Sequence, residues 1–254
     1  MRFLRITIAL IISLIALQPL HAVASMSAVE IVEKAENLLW GKTMAGDLDM
    51  TITTPTWSRM LSLHLWMYRP TKSFIRITAP AKDAGISSLR IASEMWNYLP
   101  SIERTIKIPP SLMLQPWLGS DFTNDDLVKE SSIVNDYTHR MLANVTVDGS
   151  EAYQIEGLPK PDAAIVWGKV VYTIRKNDSM PLKLEFYNER GEIVRTLIYS
   201  DIRTLGGRTI PTRWEMQPAA SPGKKTVIAI KSATYVKPIN ADVFSLRNLK
   251  QKDK

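Results

Sequence analysis

The spacing of apolar residues along the chain changes near Gly46. Before that point, apolar residues recur at the spacing of one face of an α-helix: Ile31, Ala35, Leu38 and Leu39. Ser27 and Glu30 have the form of a capping box, and Gly41 suits the position just past a helix end. The pattern therefore predicts one amphipathic helix over residues 28–40, whose apolar face packs against the rest of the chain.

After Gly46 the period becomes two residues, which is typical of strands with one buried and one partly solvated face. In the first half the apolar positions of this pattern are Leu48, Met50, Ile52, Leu61, Leu63, Leu65 and Met67. A turn at 69–72 leads into a strand at 74–77, and further strands are predicted at 86–91 and 95–99. This half of the chain is therefore expected to form an antiparallel meander.

The second half continues the pattern with longer strands. A hairpin is predicted at Asp148-Gly149, between strands at 139–147 and 152–158. The later strands are predicted at 165–175, 182–187, 193–200, 208–217 and 226–236. About eleven strands at this regular spacing, against two or three helices, favour an antiparallel sandwich or barrel. The strand–helix alternation of a parallel sheet is not seen.

The stretch from Glu94 to Leu127 interrupts this pattern. Its apolar run and its three aromatic residues are Leu112, Met113 and Leu114, with Trp96, Tyr98 and Trp117. Prolines flank the run at 109–110 and 116 and exclude a long helix or a central strand, because proline lacks the amide donor and restricts the residue before it. Such an apolar segment must still be hidden from water. It either fills a core or lines a cavity that an apolar molecule occupies.

An acidic cluster ends this stretch, and it consists of Asp121, Asp125 and Asp126. The spacing does not match a calcium loop, and no His or Cys lies nearby, so a metal site is disfavoured. Helix capping is the favoured interpretation, in which Thr123 or Asn124 begins a short helix and the acids stabilise its positive end. Asp121 has an alternative role, in which it pairs with an arginine such as Arg104 and fixes the segment against the sheet.

No catalytic signature is found in the chain. It has no cysteine, and the G-x-S-x-G, P-loop, G-x-G-x-x-G and H-E-x-x-H motifs are missing. The candidates for acid–base chemistry are two carboxylate pairs, Glu94 with Glu103 and Asp125 with Asp126. We therefore predict no enzyme, no metal and no cofactor. A periplasmic hydrolase and an integral outer-membrane barrel stay open as less favoured alternatives.

The first 24 residues resemble an export signal. Arg2 and Arg5 precede an apolar run over residues 6–17, and Ala22-Val23-Ala24 supplies the small residues that signal peptidases recognise. The run is shorter than the roughly 20 residues that a spanning helix needs. Loss of residues 1–24 lowers the formal net charge from +7 to +5. Export to the periplasm makes a nucleic-acid partner improbable for this modestly basic chain.

Several landmark motifs together resemble the periplasmic outer membrane lipoprotein-sorting protein family, which is similar in fold to the carriers LolA and LolB. The motifs are W-N-Y-L-P, L-G-S-D-F followed by N-D-D-L, Y-N-E-R-G-E, Y-S-D-I-R, G-G-R-T-I-P-T-R-W-E-M and V-F-S-L-R-N-L. The resemblance covers nearly all of residues 25–254 and implies a single carrier domain. It implies a half-open antiparallel β-barrel, with helices and a loop as a lid.

The same resemblance implies a carrier or chaperone that transfers lipid or lipoprotein acyl chains toward the outer membrane. The expected partners are the cargo, an inner-membrane transporter and an outer-membrane acceptor, and a monomer is favoured. An alternative is a lipid-binding accessory protein of an inner-membrane exporter of the RND or MMPL type. The residues expected to line the cavity and lid are Met50, Leu63, Leu65, Met67, Trp96, Tyr98, Leu112, Met113, Leu114 and Trp117.

We expect the exported protein to begin at Ser25, because cleavage follows the small-residue pattern that ends at Ala24. N-terminal sequencing and intact mass of the protein from a Gram-negative periplasm measure this directly. Ala24→Leu should slow processing, whereas Ser25→Thr should leave it unchanged. Recovery of a full-length chain from the soluble periplasmic fraction would contradict the prediction.

Overall fold

The structure is a computed structural model in which residues 26–128, 132–163, 165–235 and 238–251 are described. The predicted signal peptide, residues 1–24, lies outside the described residues. The strands are β1 (Thr43–Thr53), β2 (Ser58–Tyr68), β3 (Lys72–Ala79), β4 (Ser87–Ile91), β5 (Glu94–Leu99), β6 (Arg104–Lys107), β7 (Tyr137–Met141), β8 (Val145–Val147), β9 (Ser150–Pro159), β10 (Lys169–Arg175), β11 (Pro181–Tyr187), β12 (Ile193–Leu205), β13 (Arg208–Pro218), β14 (Lys225–Ile230) and β15 (Thr234–Tyr235). The α-helices are α1 (Ala28–Trp40), α2 (Asn124–Val128), α3 (Ser132–Asn135) and α4 (Leu246–Leu249). Short 3₁₀ helices lie at Pro100–Ile102, Pro110–Leu112, Trp117–Gly119 and Ala241–Phe244.

The strands pair antiparallel in one sheet, in the order β6-β5-β4-β3-β2-β1-β14-β13-β12-β11-β10-β9-β7. β15 pairs with β1, and β8 pairs with β9. In the part of the chain that the structure describes, the terminal strands β6 and β7 do not pair with each other, so the sheet is unclosed. The prediction of a mainly antiparallel β fold with few helices is therefore confirmed.

The predicted barrel of about eleven strands is replaced by an unclosed sheet of fifteen strands. Part of the difference arises because the predicted strand at 139–147 is two strands, which pair with different parts of β9. The predicted strand at 226–236 is also divided, into β14 and β15. The division lies at a bulge, where the amides of Lys231 and Ser232 both donate to the carbonyl of Asp47. Val236, the predicted end of the last strand, lies outside the described residues.

Helix α1 has the predicted bounds and the predicted caps. The Ser27 amide donates to the Glu30 carboxylate over 2.7 Å, and the Glu30 amide donates to the Ser27 hydroxyl over 3.4 Å. Gly41 follows the helix with a φ of 59°, where glycine avoids the strain of a Cβ atom. The helix contacts β7, β10 and β13, so it lies across one face of the sheet.

The two faces of the sheet carry separate hydrophobic clusters. The inner face and α1 form the main core, which includes Ile31, Leu39, Leu65 and Tyr172. The outer face of β3 and β4 packs against the C-terminal segment, through Phe74, Leu89, Phe244 and Leu249. Arg76 fixes this segment, because its guanidinium donates to the backbone carbonyl of Asn248 over 2.5 Å. The C-terminal residues 241–249 thus form an outer strap.

Gly46→Ala should destabilise the protein by about 3 kcal/mol, which is at the upper end of typical overpacking costs. A Cβ atom at this position would lie 2.1 Å from the carbonyl oxygen of Ser232, a backbone atom that cannot turn aside. Gly191→Ala provides the control, because nothing lies within 4 Å of its Cβ position and only the positive φ of 78° opposes alanine. That strain costs about 1 kcal/mol. Urea unfolding measures both values, and an equal or smaller cost at Gly46 would contradict the packing described.

Candidate functional site: a cavity on the inner face of the sheet

A cavity of about 190 Å³ lies between the inner face of the sheet, α1 and the segment that follows β6. Strands as distant as β3 and β7 contribute side chains to it. In a flat sheet these two strands would be about 43 Å apart, at about 4.8 Å for each neighbouring pair. Because they line one cavity, the sheet must curve strongly around it.

The size and lining of the cavity suit a small apolar occupant in the observed state. Its walls are mainly aliphatic and aromatic. An engineered apolar cavity of about 150 Å³ stays dry and binds benzene, whereas pockets for drug-sized ligands begin near about 300 Å³. The cavity must therefore widen before it can hold a long hydrocarbon chain.

Residues 112–127, which we call the cover segment, close one end of the cavity. Trp117, Phe122 and Leu127 face the cavity from this segment. Its fold is set locally: the Thr123 amide donates to the Asp126 carboxylate over 2.7 Å, and the Asp126 amide donates to the Thr123 hydroxyl over 3.2 Å. These two bonds begin α2, so the capping interpretation of the acidic cluster is confirmed.

One buried ion pair ties the cover segment to the sheet. Arg195 on β12 contacts both carboxylate oxygens of Asp126, at 2.5 and 2.8 Å. The guanidinium also lies 4.5 Å from the ring centre of Trp167 and 4.3 Å from that of Phe186. Arg195 is only 5% exposed, and a buried pair of this geometry leaves an uncompensated charge when one partner is lost. We call Arg195 and Asp126 the latch.

A second tie joins Asp121 to β14 and its entry. The Thr226 hydroxyl donates to the Asp121 carboxylate over 2.7 Å, and the Lys224 amine lies 2.9 Å from the other carboxylate oxygen. The sequence interpretation that Asp121 fixes the segment against the sheet is confirmed, but its cationic partner is Lys224 and not Arg104. Arg104 lies exposed on the edge strand β6. Trp117 adds a third tie, because its indole nitrogen donates to the Ser88 hydroxyl over 3.0 Å.

Three polar side chains, Glu36, Tyr172 and Tyr199, line the other end of the cavity. We call these three residues the polar floor. Glu36 on α1 lines the cavity and is 4% exposed. Its carboxylate accepts a hydrogen bond from the Tyr172 hydroxyl over 3.0 Å and lies 3.5 Å from the Arg69 guanidinium. Burial raises the pKa of Glu36, although Arg69 and the Tyr172 hydroxyl favour the charged form. Burial, and secondarily the charge of Glu36, also raises the pKa of Tyr172 and of Tyr199.

The latch and the polar floor lie at different depths along the same strand. Tyr199 follows Arg195 by four residues on β12, and both side chains are buried. Four residues of a strand span about 13 Å. Leu197 lies between them and lines the cavity. The cavity therefore has an apolar middle with a polar group at either end.

Within the described ranges, no group of three or more His, Cys, Asp or Glu side chains is placed to hold a metal ion. In the same residues, no helix has the length and apolar character to cross a membrane.

A protein-family model described as an uncharacterized protein family matches residues 69–251, more than half of the chain. The chain belongs to this family, and its own fold is LolA-like. The predicted resemblance to the outer-membrane lipoprotein-sorting proteins is confirmed. The search of curated proteins found no match.

Three crystal structures are similar to this LolA-like chain throughout. A DUF1329 family protein from Desulfovibrio piger is 20% identical, with a TM-score of 0.80 over 87% of this chain and 97% of that one. A putative outer membrane lipoprotein-sorting protein domain from Vibrio parahaemolyticus is also 20% identical, with a TM-score of 0.76 over 88% and 98%. A LolA superfamily protein from Nitrosomonas europaea is 22% identical, with a TM-score of 0.75 over 88% and 100%. At these identities the likeness shows the fold.

The structure brings four of the ten predicted site residues of the LolA-like chain to the cavity: Leu63, Leu65, Met67 and Trp117. Met50 is fully buried in the core behind the cavity wall, and Met113 packs against the same core. Leu112 and Leu114 are 44% and 48% exposed, so they lie on the outside of the cover segment. Their predicted role in ligand binding stays a prediction.

Trp96 and Tyr98 lie in the hydrophobic cluster on the outer face of the sheet, away from the cavity. The inward residue of β5 is Met95, which is 1% exposed. Successive strand residues point to opposite faces, so a difference of one position moves a whole set of side chains to the other face. The aromatic side chains of β5 therefore cover the outer cluster and not the cavity.

Sequence reasoning missed Glu36, Tyr172, Tyr199 and the latch residue Arg195. For two of these residues, the sequence pattern already indicated a buried position. Glu36 falls on the apolar face of α1, four residues after Val32 and three before Leu39. Arg195 falls at an inward position of β12, in the same alternation as Leu197 and Tyr199. A charged residue at a core position is rarely buried without a partner or a function.

The stability of Glu36→Gln relative to wild type should increase as the pH rises. Burial raises the folded-state pKa of Glu36, so the wild type loses stability between the unfolded value of about 4.3 and the higher folded value. Glutamine has no proton to lose, and the difference should grow by at most about 1.4 kcal/mol per pH unit. Urea unfolding at pH 4 to 8 measures it.

The matched control for this series is Glu33→Gln, on the exposed face of the same helix. Its difference from wild type should stay flat over the same pH range. A difference for Glu36→Gln that shrinks as the pH rises would show that Arg69 and Tyr172 outweigh burial, contrary to the expectation.

Proposed function

We propose that the protein is a periplasmic carrier that binds the hydrocarbon part of a lipid, or of a lipid-modified protein, and transfers it toward the outer membrane. The observation that carries this proposal is the apolar cavity closed by a segment outside the sheet ladder, through a few polar ties. The family membership supports it, and the predicted signal peptide supports the periplasm. In this proposal the curved sheet acts as a half-open barrel with the cover segment as its lid.

When the cover segment opens and a ligand enters, the apolar contacts of the cover segment are replaced by those of the ligand. Trp117, Phe122 and Leu127 occupy the mouth of the cavity in the closed state. Exposure of their apolar surface to water costs about 25 cal/mol per Å². A hydrocarbon chain that takes their place on the cavity wall buries similar area, so the net change is small. Both uptake and release are then possible without a chemical step.

The directional part of the proposal concerns partners on both membranes. A carrier of this kind receives its cargo from an inner-membrane transporter and delivers it to an outer-membrane acceptor. A second candidate is an accessory protein of an inner-membrane lipid exporter of the RND or MMPL type, which would handle a free lipid. The polar floor at Glu36 and Tyr172 favours this second candidate. A free lipid can place a polar group against these residues, whereas the acyl chain of a lipoprotein would bring only its methyl end.

Asp126→Asn should speed the loading of the cavity by about tenfold, because it weakens charge-assisted bonds from Arg195. The measurement is uptake of a pyrene-labelled hydrocarbon chain from phosphatidylglycerol vesicles, followed by energy transfer from the tryptophans. Asp178→Asn is the matched control, because Asp178 accepts two bonds from Arg175 in a turn away from the cavity. It should leave the uptake rate unchanged.

Native mass spectrometry of the protein, purified without detergent from a membrane extract, should show a bound lipid. If wild type and Asp126→Asn both fail to take up the labelled chain, and no lipid is recovered, the carrier function is wrong. Equal acceleration by Asp178→Asn would show that the effect does not come from the latch.

A further inference from the structure

The polar floor is unusual for a site that binds only hydrocarbon. Glu36, Tyr172 and Tyr199 all line the wall of a mainly apolar cavity. The Tyr172 hydroxyl already donates to Glu36. Tyr199 lines the cavity and is 8% exposed, and among the described residues its hydroxyl makes no hydrogen bond. A hydroxyl on the wall of an apolar cavity lacks a hydrogen bond unless a ligand supplies one.

The charge balance of the floor decides which polar group fits. Arg69 lies 3.5 Å from the Glu36 carboxylate and also donates to the Glu36 backbone carbonyl over 3.1 Å. Within the described residues of the floor, the Glu36 carboxylate is thus already compensated by the Arg69 guanidinium. A phosphate or a carboxylate would meet Glu36 as a like charge, and an ammonium group would be an extra buried cation. Either charge would lose its hydration without a free counter-charge.

An uncharged ligand hydroxyl can bond to both the Tyr199 hydroxyl and the Glu36 carboxylate, because a hydroxyl donates one hydrogen bond and accepts others. It can accept from the Tyr199 hydroxyl and donate to the Glu36 carboxylate. The hydrocarbon body would then extend past Leu197 toward the latch, over the apolar middle of the cavity.

We propose that the cavity binds a lipid whose only polar group is an uncharged hydroxyl, seated against Glu36, Tyr172 and Tyr199. The ligand class is a long-chain alcohol or a hydroxylated polycyclic hydrocarbon, bound with its polar end inward. This inference rests on the proposed carrier function and narrows its cargo. An acyl chain of a lipoprotein would enter with its methyl end first and would leave the floor unsatisfied.

The test compares ligands that share one chain and differ in the head: 1-dodecanol, dodecane, dodecyl phosphate and dodecylamine. Affinity for the mature chain is measured by the change in tryptophan fluorescence, since four tryptophans line the cavity: Trp40, Trp117, Trp167 and Trp214. We expect 1-dodecanol to bind at least about tenfold more tightly than the phosphate or the amine. Tighter binding of either charged ligand would overturn the inference.

Tyr199→Phe isolates the contribution of the hydroxyl. It breaks no hydrogen bond within the described protein, so the fold should persist. We expect affinity for 1-dodecanol to fall by about three- to tenfold while affinity for dodecane stays within twofold. Tyr68→Phe, on the exposed outer face of β2, is the matched control and should change neither affinity.

The outcomes separate this inference from the proposed function. If dodecane binds, and Tyr199→Phe affects alcohol and alkane alike, the hydroxyl preference is wrong and the carrier function stands. If none of the four ligands binds to wild type or to Asp126→Asn, both are wrong. The ligand comparison on wild type decides the question even if Tyr199→Phe fails to fold.

Discussion

An unclosed, curved antiparallel sheet has an apolar inner face that it cannot cover by itself. Helix α1 covers part of this face, and the cover segment closes what remains. Neither element extends the strand ladder, so both are held by side-chain contacts. The fold is therefore stable only when the inner face is covered, but the identity of the cover is not fixed by the sheet. This constraint underlies every functional feature of the molecule.

The polar contacts at the two ends of the cavity join different parts of the protein. The latch and the Asp121 tie join a short, proline-flanked segment to residues near the starts of β12 and β14, through hydrogen bonds to carboxylates. The Glu36 cluster instead joins a capped helix to the middle of β10, where water is excluded. Local opening of a protein begins where few apolar contacts must be lost. In the proposed carrier, the cover segment is therefore the part that opens, and the polar floor stays in place.

Local patterns predicted the elements whose structure is decided locally. Helix α1, the alternation along β2 and the hairpin at Asp148-Gly149 follow from capping, period and turn preference, and the structure has all three. Long-range pairing could not be derived in the same way. The interruption after β14 depends on Gly46, which is remote in sequence, and the outward side of Trp96 depends on the register of β4 and β5.

The resemblance to the lipoprotein-sorting family predicted the fold. Which residues line the cavity became known only from the structure. Leu63, Leu65 and Met67 were found because apolar alternation places them on the inner face, and Trp117 was found because it belongs to the proline-flanked apolar stretch. The polar residues were missed because each looks ordinary alone. Glu36 resembles one more surface acid until its helix face is known, and Arg195 resembles an exposed cation until Asp126 is placed beside it.

The outer strap has a consequence for how the chain reaches its native state. Phe244 and Leu249 shield strands that lie about 155 to 175 residues earlier in the sequence, and α1 contacts β13 from the other end of the chain. Neither face of the sheet is complete until almost the entire polypeptide is present. Premature closure around a partial chain is thereby disfavoured.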